Sequence, residues 1–180
     1  VRHTRDVSAL QASRQLIDDA RRRIDIVTPY FTEDDTVDRL IAAEPKNPQH
    51  YHDRADAHRA LGNTDEAVVD YSTAIELKPD MGPAKNGLGV VYNNAQQYDK
   101  AIEVLEQLIE DQGFDLYMTP HYPKFNLGLA YYHKGEYEKA RRYFREVSDY
   151  FAAGIPKDRI YVLNLRALGM TYYDTGDPVE

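Results

Sequence analysis

The residues with most potential for chemistry lie in a short histidine-rich segment. His52 and Asp56 are one helical turn apart, with His50 and His58 nearby, and imidazole and carboxylate groups are ligands for divalent metals. Two such groups make at best a weak site, so we favour solvated surface histidines. The sequence also has no cysteine, no Gly-rich phosphate loop and no nucleophile motif. It therefore predicts no catalytic residue, no metal, no cofactor and no enzyme.

Composition excludes further classes of function. The chain has 180 residues, of which 42% are hydrophobic and 29% charged, as in an ordinary soluble domain. Its formal net charge of -8 argues against a nucleic-acid binder, which would present a basic face. We interpret the basic clusters at 21–23 and 139–145 as solvated helix faces. No apolar run approaches the roughly 20 residues that a membrane-spanning helix needs.

The absence of cysteine leaves the compartment open between cytoplasm and bacterial periplasm. The chain opens on Val1 rather than methionine, which is compatible with a removed leader or lipid anchor. Localisation is therefore not predicted.

The elements that position these residues recur at a fixed interval. Ala67 and Ala101 are 34 residues apart, and Leu88 and Leu127 are separated by one such interval plus five residues. A period of about 34 residues is typical of helical-hairpin solenoids, whose units stack because none can bury its apolar face alone. We expect an all-α solenoid of antiparallel helix hairpins.

Capping residues divide the chain into repeats. Asn47-Pro48 predicts a helix start, Gly62 its end, and Asn63 with Glu66 a capping box for the next helix. Gln96 stands where the other turns carry glycine, so this turn must change conformation or bear the cost of a left-handed residue. The predicted repeats span about 48–81, 82–120, 121–154 and, as a partial fourth, 158–176.

Both ends of the chain depart from this period. An apolar stripe predicts an amphipathic helix from about Asp6 to Val27, followed by a second helix from Asp34 to Ala43. We interpret residues 1–47 as a degenerate hairpin that caps the array. Asp177-Pro178 has the form of a helix start, so residues 177–180 predict a further helix and an array that continues in a longer chain.

The residues at these intervals resemble the tetratricopeptide repeat family. Its pattern places aromatic, Gly, Ala and Pro residues at fixed offsets, and the first repeat supplies them at Tyr51, Gly62, Ala67, Tyr71, Ala74 and Pro79. The resemblance covers about 48–176. It implies a right-handed superhelix with a concave groove that binds another protein or peptide.

A narrower resemblance concerns the five extra residues. Asp115-Leu116-Tyr117, followed by the segment 125–129, is similar to the bacterial lipoproteins that assist type IV pilus assembly, which have a comparable insertion. This resemblance implies a bacterial assembly factor.

In the tetratricopeptide repeat family the first helix of each repeat lines the groove. Transferred position by position, the resemblance implies a groove that is polar at one end and aromatic at the other. Amides can donate to and accept from a peptide backbone, and aromatic residues are common binding hot spots. The implied lining is His52, Asp56, Arg59, Asn86, Val90, Asn93, Asn94, Tyr122, Phe125, Leu129, Tyr132, His133, Arg166, Met170 and Tyr173, with Asp174 beside it.

Some family members grip the carboxylate of chaperone tails with lysines, asparagines and an arginine in the groove. His52, Asp56, Gly87, Tyr122 and Asn126 stand at those positions here. Because Asp56 would repel a carboxylate, a co-chaperone role is disfavoured.

Two functions of different classes remain. The first is a protein-interaction module that binds an extended peptide or helix in its groove, as in an assembly factor. The second is a self-associating scaffold, a homo-oligomer that stacks through array ends or convex faces. They differ in where the exposed apolar surface lies: in the groove or at the ends.

Overall fold

The computed structural model describes residues 35–111, 119–154 and 158–177. These residues form eight α-helices and no strand. The helices are α1 (Asp35–Ala43), α2 (Pro48–Leu61), α3 (Thr64–Leu77), α4 (Gly82–Asn94), α5 (Tyr98–Glu110), α6 (His121–His133), α7 (Tyr137–Ala152) and α8 (Arg159–Thr175). The prediction of an all-α fold is confirmed.

The chain divides into two compact units, Val1–Pro45 and Lys46–Glu180. The first contributes α1. The helix predicted at about 6–27 lies outside the described residues, as does most of the helix start predicted at 177–180. The second unit contains α2 to α8.

Within the second unit, short turns join the helices into the hairpins α2–α3, α4–α5 and α6–α7. Each hairpin packs against the next through α3 with α4 and α5 with α6, and α7 packs against α8. The first helices also contact one another in the order α2, α4, α6, α8. The result is a solenoid of helix hairpins, with α8 in the position of the first helix of a fourth unit.

Capping residues set several of the helix boundaries. Asn47 Oδ1 accepts from the Gln49 amide at 3.1 Å, and Gly62 ends α2 with φ of 80°. Gln96 takes φ of 59°, a left-handed conformation that costs about 1 kcal/mol in a non-glycine residue. The capping box predicted for α3 is wrong: the Asn63 side chain makes no capping bond and lies 3.4 Å from His58 Nδ1.

Glycines allow close approach of helices within two hairpins. A Cβ atom on Gly89 would lie 2.6 Å from Leu105 Cγ, and one on Gly128 would lie 2.6 Å from Phe144 Cε1. Real Cβ atoms do not approach so closely, so the large side chain occupies the space that glycine leaves. These contacts fix the spacing between the first helix, which carries the predicted groove, and the second helix, which supports it.

Candidate functional site

The predicted groove residues lie on the first helices of successive hairpins. Because α2, α4, α6 and α8 contact one another in sequence, they form the inner surface of the solenoid. Equivalent positions on these helices carry Arg59, Asn93, Tyr132 and Tyr173. The side chain at one position thus changes from charged to amide to aromatic along the groove.

At the α2 end, three side chains form a closed polar cluster. The buried Tyr71 hydroxyl of α3 donates to Asp56 Oδ1, Arg59 Nη2 donates to the same oxygen at 3.0 Å, and Arg59 Nε donates to the tyrosine oxygen at 3.1 Å. Burial and the hydrogen bond to Asp56 raise the pKa of Tyr71 well above its ordinary value, so the hydroxyl remains a donor. Asp56 and Arg59 neutralise each other here.

The histidines near this cluster have nearby polar partners. His52 Nδ1 lies 3.3 Å from Asp53 Oδ1 and His52 Nε2 lies 3.9 Å from Asp56 Oδ2. His58 Nε2 lies 3.8 Å from a carboxylate oxygen of Asp70. Across the described ranges, no three His, Asp or Glu side chains are grouped so that they could hold a metal ion.

The middle of the groove contains an asparagine ladder between α4 and α6. Asn126 Nδ2 donates to Asn86 Oδ1 at 3.0 Å, and Asn93 Nδ2 donates to the Asn126 carbonyl at 2.9 Å. Asn93 Oδ1 is buried and has no partner. The amides predicted to bind a peptide backbone therefore hold two helices together, and Asn94, which is exposed, is the amide left open to a partner.

Two tyrosines tie α6 to α8. The Tyr132 hydroxyl donates to Asp174 Oδ2, and the Tyr122 hydroxyl donates to Asp158 Oδ2 at 3.0 Å. The hydrogen bond to Asp174 and, to a smaller extent, partial burial raise the pKa of Tyr132 to about 12. Asp158 also caps α8. Burial raises the pKa of its carboxyl group, but hydrogen bonds from His121, Tyr122 and the first amides of α8 lower it, so that the pKa lies below its ordinary value.

Phe125 does not line the groove as predicted. Its side chain is 6% exposed and belongs to the core cluster that contains Phe144, with the two ring centroids 5.9 Å apart. The equivalent residues on the neighbouring helices are Asn86 and Arg166, which are polar. A large apolar side chain at this position turns into the core because burial of its ring is favourable.

The exposed apolar part of the predicted groove lies on α8 and the adjoining turn of α6. Tyr173 is 87% exposed and Met170 is 41% exposed. Leu129, at the α6 position equivalent to Met170, is partly buried, as is Val90 on α4. Arg166 is exposed one turn before Met170. We name the set Leu129, Tyr132, Met170 and Tyr173 the apolar groove section.

His133 also faces solvent, but it is stacked on Tyr98 of α5, with ring centroids 5.5 Å apart. Sequence reasoning missed Tyr98 as a neighbour of the groove, and it considered Asn126 only as a position of the carboxylate clamp. Tyr98 belongs to a second helix, and only its 39-residue distance from Tyr137 marked it as a repeat position. The family position of Asn126 did not indicate its hydrogen bond to Asn86, because that bond depends on the rotamers of both side chains.

Comparison with known proteins identifies the fold family. Tetratricopeptide repeat models match residues 58–119 and 122–151. The chain belongs to the tetratricopeptide repeat family. A curated relative, the Protein SGT1 homolog of Oryza sativa subsp. japonica, is 42% identical over 68 residues, which cover 38% of this chain and 18% of that protein. The match therefore spans less than a fifth of this relative's length.

Solved structures of tetratricopeptide proteins share the architecture. MamA from Desulfovibrio magneticus RS-1 is similar with a TM-score of 0.69, 20% identity, and coverage of 93% of this chain and 85% of that chain. PilW, described as a widely conserved type IV pilus biogenesis factor, is similar with a TM-score of 0.68, 21% identity, and coverage of 90% and 68%. At these identities the similarity shows the fold, a right-handed solenoid of antiparallel hairpins.

The family and its neighbours identify the chain as a protein-interaction module, and its fold is one that generally carries no catalysis. Among the described residues, none of the helices is both long enough and apolar enough to cross a bilayer.

Proposed function

We propose that this protein binds an extended peptide or a helix of a partner protein in its concave groove, with the apolar groove section as the main contact. The observation that carries the proposal is the exposure of Tyr173 and Met170, which lie at the positions where the family resemblance predicts the groove. Exposed aromatic and methionine side chains are enriched at the centres of protein interfaces. Leu129 and Tyr132 extend the same surface onto α6.

The chemistry of the bound segment follows from the charges around this surface. Asp56 is paired with Arg59, and Asp174 accepts from Tyr132. Arg166 is exposed beside Met170. We therefore expect two or three apolar side chains in the bound segment, with an acidic or neutral group next to Arg166.

The finer role that we propose is that of an assembly factor, which holds a segment of one subunit while a larger complex forms. The similarity of fold to PilW supports this role.

A display library of random peptides tests the proposal and does not require the partner to be identified. Peptides selected on the parent protein are measured against Tyr173→Ala/Met170→Ala, a variant that removes exposed side chains. Val69→Ala is the matched control, because Val69 is 62% exposed but lies on α3, a second helix.

We expect the selected peptides to lose at least about tenfold in affinity with the groove variant, as for interface residues worth more than 1 kcal/mol. The control should bind like the parent. If every selected peptide binds the groove variant and the parent equally well, the proposal is wrong.

A further inference from the structure

Tyr71 carries a hydroxyl at a position where the other hairpins have an apolar side chain. The equivalent residues are Leu105 and Phe144, which pack over glycines of the first helices. Tyr71 is fully buried on α3, and a Cβ on Gly87 of α4 would lie 2.5 Å from its Cζ and 2.7 Å from its hydroxyl oxygen. The missing side chain at Gly87 therefore leaves room for the phenol to reach the polar side chains of α2.

The Tyr71 hydroxyl and the Asp56 carboxylate together fix the orientation of the Arg59 guanidinium. Arg59 Nε donates to the Tyr71 oxygen at 3.1 Å, and Arg59 Nη2 donates to Asp56 Oδ1 at 3.0 Å. A guanidinium has five N–H donors, and those on Arg59 Nη1 have no acceptor among the residues that the structure describes. The side chain is 37% exposed. Arg59 therefore presents oriented, unused donors at a position where the family resemblance predicts the groove.

The charge beside Arg59 decides which acceptor suits these donors. Asp56 pairs with Arg59 at hydrogen-bond distance and neutralises it. A carboxylate of a partner would gain little from a neutralised cation and would be repelled by Asp56. A main-chain carbonyl accepts hydrogen bonds without carrying a net charge, so it avoids this repulsion.

We infer that Arg59 binds a main-chain carbonyl of the segment in the groove, and that this segment is extended where it passes α2. The inference rests on the proposed function, because it assigns a second contact to the same bound segment. In a helix, the carbonyls before the last turn are used by the helix's own N–H groups. In an extended segment they are free for a partner, so the geometry favours a strand-like segment over a helix at this end.

The two hydrogen bonds also reduce the cost of binding. A long side chain loses rotamer freedom when it is immobilised by a partner, and Arg59 is already held by Tyr71 and Asp56. Tyr71 is therefore a positioning residue: it is buried and touches no partner, but it orients the group that does. Because every residue has a carbonyl, this contact adds affinity without selecting a side chain.

Amide-to-ester substitution in a bound peptide tests the inference. Peptides selected from the display library on the parent protein are made with each amide in turn replaced by an ester, whose carbonyl is a weaker acceptor. Their affinities are measured for the parent and for Asp56→Asn/Arg59→Met, which removes both charges and leaves the Tyr71 hydroxyl an acceptor. Arg142→Met is the matched control, because Arg142 lies on the second helix α7 with 64% of its side chain exposed. Circular dichroism confirms that each variant is folded.

We expect one ester, or two neighbouring ones, to weaken binding to the parent and to the control by about three- to tenfold. The same ester should not change the affinity for Asp56→Asn/Arg59→Met, because the carbonyl has no donor there. The N–H group that an ester also removes cannot produce this pattern, since arginine is a donor only. The inference is wrong if no ester distinguishes the parent from this variant. It is also wrong if the change that does so is the replacement of an acidic side chain of the peptide by its amide.

Tyr71→Phe tests the positioning role, because it keeps the buried ring and Arg59 but removes the hydroxyl. We expect the ester effect to shrink in this variant. A loss of packing alone would lower stability without changing the ester effect. An ester effect equal to that of the parent would therefore contradict the role of Tyr71.

This inference and the proposed function can fail separately. Peptides that lose affinity for Tyr173→Ala/Met170→Ala but show no ester effect at Arg59 would overturn the inference and leave the proposed function in place. Peptides with the opposite pattern would support the contact at Arg59 and overturn the apolar groove section as the main contact.

Discussion

Tyr132 and Tyr173 occupy equivalent positions in adjacent repeats but have different surroundings. Tyr132 is half-buried and donates to Asp174, whereas Tyr173 is almost fully exposed. Truncation of Tyr132 would therefore disturb the α6–α8 contact as well as any bound partner. Tyr173 is the cleaner residue on which to test binding, although the sequence pattern does not distinguish the two.

The hydrogen bond of Tyr132 should give a stability difference that depends on pH. Because the pKa of Tyr132 is raised to about 12 by Asp174 and burial, its contribution is fully present below the ordinary tyrosine pKa near 10. It is lost as the pH rises from about 10 towards 12. We expect Tyr132→Phe to lower the free energy of unfolding by about 0.5–1 kcal/mol at pH 8.

Urea denaturation of the parent and Tyr132→Phe at pH 8 and pH 11 measures this difference. The two proteins should differ less at pH 11, since all other titrating groups are common to both. A difference that stays the same or grows would show that the hydroxyl is not bound to Asp174.

Gly128 and Gly169 are equivalent glycines that should respond in opposite ways to alanine. At Gly128 the new Cβ would meet the Phe144 ring at 2.6 Å, so we expect a loss of roughly 1–3 kcal/mol. At Gly169 the Cβ meets nothing within 4 Å, so the better helix propensity of alanine should add up to about 1 kcal/mol. Denaturation of both variants at low protein concentration measures the change in the free energy of unfolding. Equal changes at the two sites would contradict the finding that a side chain packs over Gly128 but not over Gly169.

At the scale of elements, α2 and α3 are joined by a buried ion pair. Arg54 Nε and Nη2 each donate to a carboxylate oxygen of Asp70 at 2.7 Å, and Asp70 is almost fully buried. A buried carboxylate needs such a partner because the loss of its hydration is costly. The pair therefore specifies how the first hairpin closes.

Removing the Arg54 cation alone should lower the free energy of unfolding more than removing both charges. Arg54→Met leaves Asp70 without its main partner, and we expect a loss of about 3 kcal/mol, the lower end for a broken buried pair, because Arg54 is partly exposed. Arg54→Met/Asp70→Leu should recover most of that loss. Denaturant unfolding of the two variants and of Asp70→Leu alone completes the cycle. A double variant less stable than Arg54→Met would show that the pair stabilises the hairpin more than an apolar contact can.

Several helix boundaries could be predicted from the sequence because local chemistry sets them. Asn47 before a proline, Gly62 in the left-handed region and Asp158 as a cap each act within a few residues. The capping box at Asn63 was wrong because His58, from the preceding helix, lies beside that side chain. A contact across a turn overrides a local pattern.

The candidate groove was harder to predict than the helices that carry it. Family geometry gives the face on which a residue lies but not what its side chain contacts. Phe125 turns into the core, and Asn86 and Asn93 are engaged with Asn126. These outcomes depend on rotamers and on helices from other repeats, which a period in the sequence does not encode.

At the scale of the whole molecule, the exposed apolar residues of α8 form one continuous stripe. Val162 and Tyr173 lie almost in line along the helix, with Leu165 on one side and Met170 on the other. The proposed peptide contact at Met170 and Tyr173 is therefore part of a larger apolar surface of this helix.

The central claim is that the groove beside Met170 binds a peptide, and the methionines offer a direct test. The chain has three, of which Met170 lies in the groove and Met81 is buried between α3 and α4. A titration of ¹³C-methyl-methionine protein with a selected peptide, at a concentration where the protein is a single chain, reports on both. The account predicts that the Met170 methyl signal shifts and saturates with the dissociation constant of the peptide, while the Met81 signal does not move. A bound peptide that leaves the Met170 signal unchanged would contradict it.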